Sequence, residues 1–150
     1  MTVYKIAERV TVNAPAARVW QALTAWDRQS DWVIATQTYA TELAGQGVGG
    51  GLSAYTGFGP LRFKDTMVIT EWQPPTICRV RHTGRVVRGT GTFEVQPTGE
   101  RTAAVIWSEN LQLPGGRLAE MSWPAIHLVS SWLLRRSLRR FADWAPAYPL

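Results

Sequence analysis

Residues 36–113 contain a succession of short extended segments, and no other feature of the sequence constrains the fold as strongly. Segments rich in β-branched and aromatic residues alternate with turns rich in glycine and proline, a pattern typical of strands. The predicted strands are residues 37–43, 52–58, 63–72, 77–83, 87–96 and 102–113. Because the turns between them are too short to hold a crossover helix, the segments predict an antiparallel meander that ends at Pro114.

One strand and two short helices are predicted before the meander, and one long helix is predicted after it. Residues 4–12 place apolar side chains on one parity and polar ones on the other, which indicates a half-buried strand. Asn13 and Pro15 favour the start of a first short helix, and a second is predicted over residues 28–33. Residues 124–144 predict the long helix, which has one apolar face. That face holds Ile126, Leu133, Leu134, Leu138, Phe141 and Trp144.

Together these elements predict an α+β fold in which a curved antiparallel sheet wraps around the long C-terminal helix. Hydrophobic residues make up 45% of the chain and charged residues 18%, a composition that excludes intrinsic disorder. The 150 residues match the length of one domain, and neither a linker nor an internal repeat interrupts them. We therefore expect a single domain over residues 1–150.

Cysteine content and hydropathy limit the compartment that we expect. Cys78 is the only cysteine, which excludes an internal disulfide and a zinc site made of cysteines alone. A lone cysteine fits a reducing cytoplasm, and the first residues contain no apolar segment typical of a signal peptide. No apolar run approaches the ~20 residues of a transmembrane helix. The sequence therefore predicts a cytoplasmic protein.

Five segments carry motifs that can be compared with known families. They are residues 12–24 (VNAPAARVWQALT), Trp26 with Asp31-Trp32, residues 71–75 (EWQPP), residues 91–95 (GTFEV) and residues 102–107 (TAAVIW). These motifs resemble those of the START-like superfamily, also called SRPBCC, which comprises polyketide cyclase/dehydrase and lipid-transport proteins. The resemblance covers almost the whole chain and implies one START-like domain with the helix-grip fold.

The resemblance also implies a cavity between the concave face of the sheet and the long helix. The family uses such cavities for lipids, polyketides, sterols or plant hormones, and a few members are cyclases or aromatases. The eight tryptophans of this chain suggest either a large core or a cavity wall. We expect ligand contacts from Trp32, Tyr55, Phe58, Met67, His82, Phe93, Trp107, Glu109, Ile126, Ser130 and Leu134.

Glu109 and His82 are the polar residues most suited to chemistry in such a cavity. If Val105 and Trp107 face inward, strand parity turns Glu109 inward as well, and an inward Val80 does the same for His82. A carboxylate in an apolar cavity needs a partner or a raised pKa, and a histidine titrates near neutral pH. Each residue acts either in proton transfer, as a ligand anchor, or as a structural group at a strand end. The sequence leaves open whether the two approach each other.

No metal site and no cofactor are expected. His127 lies near the apolar face of the long helix, but no histidine or carboxylate has the spacing of metal ligands. Cys78 and His82 form no nucleophilic pair, because residues four apart on a strand lie about 13 Å apart. The glycines of residues 45–51 lack the Gly-Lys-Ser/Thr of a phosphate-binding loop, and we interpret them as a hairpin loop.

Arg135, Arg136, Arg139 and Arg140 occupy the helix arc opposite the apolar face. In a chain of net charge +5, such a cluster suggests nucleic acid or an anionic membrane as partner, and Trp132 on the same arc points to the membrane. We favour a solvated face over membrane contact, because cations near a helix C-terminus complement the helix dipole. Nucleic acid is not expected, because no aromatic stacking platform accompanies the arginines.

Three functions are therefore considered. The leading one is non-catalytic binding or transport of a small hydrophobic molecule, such as a lipid or a polyketide, which Glu109 and His82 would orient by hydrogen bonds. The alternative is an enzyme similar to polyketide cyclases and aromatases, in which Glu109 or His82 transfers protons. The second alternative is an interaction protein that docks through the arginine face of the C-terminal helix.

Overall fold

The computed structural model describes residues 3–113 and 115–149, so Pro114, where the predicted meander ends, lies outside the described residues. The strands are β1 (Val3–Val12), β2 (Thr36–Ala40), β3 (Gly51–Phe58), β4 (Leu61–Gln73), β5 (Ile77–His82), β6 (Gly89–Gly99) and β7 (Thr102–Gln112). The α-helices are α1 (Ala16–Leu23) and α2 (Gly116–Trp144), and 3-10 turns occupy Trp26–Asp31, Glu42–Gly45 and Ala145–Ala147. The second short helix is thus a 3-10 turn that begins before its predicted start at residue 28.

The described strands join one antiparallel sheet in the order β1-β7-β6-β5-β4-β3-β2. From β2 to β7 each strand pairs with the next along the chain, which confirms the predicted meander. β1 instead pairs with the last strand, β7, with Val10 opposite Val105. The curved sheet and the long helix α2 form the α+β helix-grip fold that the sequence predicts.

The core lies where α1 and the C-terminal half of α2 meet the sheet. Leu138 and Phe141 of α2 are buried, and the Phe141 ring packs edge-on against Trp32 with 4.9 Å between the centroids. Helix α1 adds Val19 and Leu23, which are also fully buried. Full burial of each of these large apolar side chains contributes roughly 1.5–3 kcal/mol. This packing fixes the end of α2 against the sheet and positions the middle of the helix over the concave face.

Helix α2 begins at Gly116, eight residues before the predicted start at Pro124. A helix that began at Pro124 would have the proline at its first position, where the missing N–H costs nothing. In the structure Pro124 lies inside the helix, and both it and Glu120, the residue one turn before it, are exposed. Water can therefore hydrogen-bond the carbonyl that a proline leaves without its helical partner.

Strand β2 ends at Ala40, although the alternation predicts extended chain to residue 43. Leu43 and Ala44 instead adopt left-handed backbone conformations, both with φ of 53°. The Trp26 indole N–H donates to the carbonyl of Gly45 at 2.8 Å, and a Cβ at Gly45 would lie 2.7 Å from that ring. The close approach of the Trp26 ring therefore turns the chain where local alternation favours a strand.

Candidate functional site

A cavity of about 240 Å³ lies between the concave face of the sheet and α2. Its wall is mainly apolar, and the middle of α2 covers it. The apolar wall includes Ile6, Val33, Leu52, Met67, Val80, Phe93, Trp107 and Leu134. Small-molecule sites in proteins have this composition, with few polar groups on an apolar surface.

Three ionisable side chains from separate strands meet on the cavity wall. His82 Nδ1 lies 2.9 Å from Asp65 Oδ1, and His82 Nε2 lies 3.0 Å from Glu109 Oε2. The Trp107 indole N–H donates to the other oxygen of Glu109, Oε1, at 2.9 Å. We call Asp65, His82 and Glu109 the acid–histidine cluster. Since each ring nitrogen faces a carboxylate, the arrangement is complete when the imidazole is protonated and donates from both nitrogens.

Sheet register explains how residues so far apart in sequence come together. Asp65 and Met67 share one face of β4, and Met67 is the residue opposite His82 on β5. Between β5 and β7 runs β6, on which Gly91 is the residue opposite Glu109. A Cβ at Gly91 would lie 2.8 Å from both carboxylate oxygens of Glu109. The absence of a side chain at Gly91 therefore gives Glu109 the room to reach His82 across β6.

The cluster holds His82 as a cation. Burial alone would lower the pKa of His82, but the hydrogen bonds and negative charges of Asp65 and Glu109 outweigh it and raise the pKa to about 10. This corrects the expectation of a histidine that titrates near neutral pH. The groups left to contact a ligand are the carboxylate oxygens, because both imidazole N–H groups are engaged.

Seven of the predicted ligand contacts lie on the cavity wall. They are Met67, His82, Phe93, Trp107, Glu109, Ser130 and Leu134. The side chains of β5 and β7 that the sequence predicts to face inward therefore do so in the structure. Cys78 also lies on the wall, where burial raises the pKa of its thiol to about 12.

The other four predicted contacts lie away from the cavity, each for a local reason. Trp32 is buried within the core, packed between Phe93 and Phe141. Tyr55 points to the opposite face of β3, because its neighbours at positions 54 and 56 face the cavity. Phe58 ends β3 at a hairpin tip and is 74% exposed. Ile126 lies one turn of α2 before Ser130, the first α2 residue on the cavity wall.

Asp65 is the functional candidate that sequence reasoning missed. The sequence contained the information needed to find it, because Asp65 has the same strand parity as Met67, which was predicted to line the cavity. Sequence reasoning also missed two polar residues, Gln29 and Thr38, whose side chains hydrogen-bond each other on the cavity wall.

Trp32 Nε1 is buried and makes no hydrogen bond with any group in the described chain.

The described residues contain no cluster of three His, Cys, Asp or Glu arranged to hold a metal ion. In the acid–histidine cluster, both nitrogens of His82 are already bound to carboxylates. The exposed His127 packs its ring against Trp123 instead, with 5.4 Å between the centroids.

The arginine face of α2 is only partly free in solvent. Arg135 pairs with Glu8 of β1 at 3.1 Å, and Arg140 donates to the backbone carbonyl of Asp31 at 3.2 Å. Trp132 is 56% exposed beside them. Among the described residues, none of the helices combines the length and the apolar composition that crossing a bilayer requires.

A family model described as polyketide cyclase/dehydrase and lipid transport matches residues 4–145. The match spans all the residues that line the cavity, from Ile6 to Ser137. A comparison with curated proteins finds no significant match.

Several solved structures share the fold over nearly their whole length. The protein TTHA0849 from Thermus thermophilus superposes with a TM-score of 0.79 at 12% identity, covering 95% of this chain and 97% of that one. The Zhui aromatase/cyclase from Streptomyces sp. R1128 gives a TM-score of 0.79 at 14% identity, covering 96% and 94%. Norcoclaurine synthase from Thalictrum flavum, as a point mutant bound to a transition-state analogue, gives 0.71 at 13% identity, covering 96% and 94%. At these identities the similarity shows a common fold.

Proposed function

Because the chain belongs to the polyketide cyclase/dehydrase and lipid transport family, we propose that it binds a small hydrophobic molecule in the cavity between the sheet and α2. The observation that carries the proposal is an apolar cavity whose charged groups are confined to one cluster. In such a site the apolar wall supplies affinity, and the polar groups fix the orientation of the ligand. A protein that transports its ligand needs the same two features, an apolar wall and a few polar groups.

The position of α2 supports this proposal. Ser130, Leu133 and Leu134 face the cavity, whereas Leu138 and Phe141, one and two turns after Leu134, are packed into the core. The helix therefore closes the cavity at its middle and is anchored at its end. A ligand in this position would lose most of its contact with water while the core packing stays intact.

An enzyme is the alternative, and the carboxylates on the cavity wall are the observation in its favour. Glu109 and Asp65 both reach the cavity, so either could accept a proton from a bound molecule. His82 is less suited to that role, because a protonated imidazole with a pKa of about 10 is a poor base at neutral pH. It would instead hold the two carboxylates in position. The Streptomyces protein of the same fold is named as an aromatase/cyclase.

The alternative is tested with Glu109→Gln, which keeps the shape of the side chain and removes its charge. If the protein is a cyclase-like enzyme that uses Glu109, this variant loses turnover of a polyketide-like substrate by about 10²–10⁴-fold, the usual contribution of a proton-transfer group. Unchanged turnover in a folded variant excludes Glu109 as the catalytic base.

Ligand binding is tested with a neutral fluorescent probe, N-phenyl-1-naphthylamine, and two matched tryptophan substitutions on α2. Ser130→Trp places an indole in the cavity, whereas Ser122→Trp adds the same group to the part of the helix outside it. We expect saturable binding of one probe per chain in the unsubstituted protein and in Ser122→Trp. Ser130→Trp should weaken binding by about tenfold or more, since the added ring competes for the same volume. Equal binding by both variants would contradict a site in this cavity.

A further inference from the structure

The acid–histidine cluster has more negative charge than positive charge. It contains the two carboxylates of Asp65 and Glu109 and a single imidazole, that of His82. With His82 protonated, one negative charge remains in excess, and with His82 neutral the excess is larger. The net charge of the cluster is therefore negative whether its histidine is protonated or neutral.

Basic side chains do not compensate this charge from the cavity wall. None of the described residues that line the cavity is a lysine or an arginine. Arg62 and Lys64 come just before Asp65 in the sequence. The cationic group of each lies 5.8 Å from the ring centroid of Tyr55, whose side chain is outside the cavity. The chain as a whole carries a net charge of +5, so the net negative charge on the cavity wall is opposite in sign to that of the chain.

One carboxylate oxygen of the cluster is left to accept a hydrogen bond. Glu109 uses Oε1 for the Trp107 indole and Oε2 for His82. Asp65 uses Oδ1 for His82, and in the described part of the chain no donor reaches its Oδ2. Asp65 lies on the cavity wall with its side chain 13% exposed, so Oδ2 keeps some contact with solvent and is open to a ligand group. A carboxylate oxygen without a protein donor can accept a charge-assisted hydrogen bond from a cation in the cavity.

We propose that the ligand of this cavity is a hydrophobic organic cation whose protonated amine donates to Asp65 Oδ2 beside Glu109. The inference rests on the proposed ligand-binding function and adds the chemical class of the ligand. The apolar wall accommodates the body of the molecule, and the amine supplies the positive charge that the cluster lacks. Charge-assisted hydrogen bonds of this kind are about twice as strong as neutral ones.

The same charges discriminate against other ligands of equal size. A neutral alcohol can donate one hydrogen bond to Asp65, but it leaves the excess charge in place. A carboxylate brings a second negative charge to a partly dehydrated site, where like charges repel strongly. Affinity should therefore fall in the order ammonium, alcohol, carboxylate.

The test compares three probes that share a naphthalene body, namely 2-(2-naphthyl)ethylammonium, 2-(2-naphthyl)ethanol and 3-(2-naphthyl)propanoate. Dissociation constants are measured by calorimetry at pH 7 on the intact protein. We expect the ammonium to bind about tenfold more tightly than the alcohol, and the carboxylate to bind least tightly. If the alcohol or the carboxylate binds as tightly as the ammonium, the inference is overturned while the proposed function stands. If none of the three binds, both are overturned.

Two isosteric variants assign the preference to the cluster. Asp65→Asn and Glu109→Gln each remove one negative charge, and each should reduce the ammonium-to-alcohol affinity ratio to about threefold or less. The control is Glu120→Gln, an exposed position on α2 outside the cavity, which should keep the full ratio. The ratio of two constants measured on one preparation is insensitive to the fraction of folded protein, and the two variants are independent. A full ratio in both variants would show that the cluster does not select the cation.

Discussion

At the scale of single residues, His82 determines how the polar end of the cavity behaves. Its side chain is 4% exposed and is held between Asp65 and Glu109, which belong to strands far apart in sequence. Buried charges are tolerated when they are paired and hydrogen-bonded, and removal of one partner from such a pair typically costs about 3–5 kcal/mol. The cluster therefore couples the electrostatics of the ligand site to the stability of the protein.

The first prediction is that the free energy of unfolding falls as the pH rises from 6.5 towards 9. The folded-state pKa of His82, about 10, lies above the ordinary value of 6.5, so its contribution is complete below pH 6.5 and is lost towards pH 10. Unfolding in urea should show a loss of about 1.4 kcal/mol per pH unit in this range that His82→Gln lacks. His127→Gln, at an exposed position, is the control and should retain the slope. A slope unchanged by His82→Gln would show that His82 is not the titrating group.

The second prediction concerns Cys78, which is 2% exposed on the cavity wall. Because burial raises the pKa of its thiol to about 12, almost no thiolate is present at pH 8, and the thiolate is the reactive form. Native protein should resist iodoacetamide at pH 8, and urea-unfolded protein should react rapidly, as measured by intact mass. Alkylation of both states at the same rate would mean that position 78 is open to solvent.

At the scale of elements, β6 separates the two strands that carry His82 and Glu109 and still lets their side chains meet. It does so at Gly91, where any Cβ would displace the Glu109 carboxylate. The cluster therefore depends on a position that itself contributes no functional group. On the other side of the cavity, Ser137 of α2 accepts a hydrogen bond from the backbone N–H of Ile34.

The third prediction is that Gly91→Ala disrupts the cluster, whereas Gly84→Ala is tolerated. A Cβ at Gly91 lies 2.8 Å from Glu109 oxygens, but at Gly84 the nearest atom, Thr66 Oγ1, is at an ordinary 3.5 Å. Crowding of this kind typically costs about 1–3 kcal/mol of unfolding free energy. Urea unfolding at pH 6.5 and at pH 8.5 should show Gly91→Ala less stable and with a reduced pH slope. Equal stability of the two variants would contradict the packing described at Gly91.

At the scale of the whole molecule, the sequence was enough to predict the sheet, the helix and the inward side chains of the central strands. With Val105, Trp107 and Val80 taken as inward, strand parity placed Glu109 and His82 on the concave face, because the period of two is fixed by backbone geometry. Parity does not say which inward residues are neighbours, because that depends on the register of strands paired across the sheet. This is why the approach of His82 to Glu109 remained open. Asp65 was missed although its strand parity, which it shares with Met67, could be read from the sequence.

The remaining differences have two origins, namely local strand geometry for Tyr55 and Phe58 and long-range packing for Trp32 and the end of β2. An aromatic residue on a strand was taken as a cavity residue, yet Tyr55 faces outward and Phe58 lies at a hairpin tip. Trp32 is held in the core by its ring contacts with Phe93 and Phe141. Strand β2 ends early because the Trp26 ring turns the chain at Gly45.

The most direct test of the central claim, that this chain binds a hydrophobic molecule in the cavity, is a ¹H–¹⁵N NMR titration of the tryptophan indole N–H signals. The Trp107 indole donates to Glu109 on the cavity wall, whereas Trp132 is exposed on the arginine face of α2. The two signals are assigned with Trp107→Phe and Trp132→Phe, and the unsubstituted protein is titrated with N-phenyl-1-naphthylamine. Binding in the cavity predicts that the Trp107 signal shifts and saturates at one probe per chain while the Trp132 signal stays in place. A shift of Trp132 with Trp107 unmoved would contradict the claim and make the arginine face the working surface.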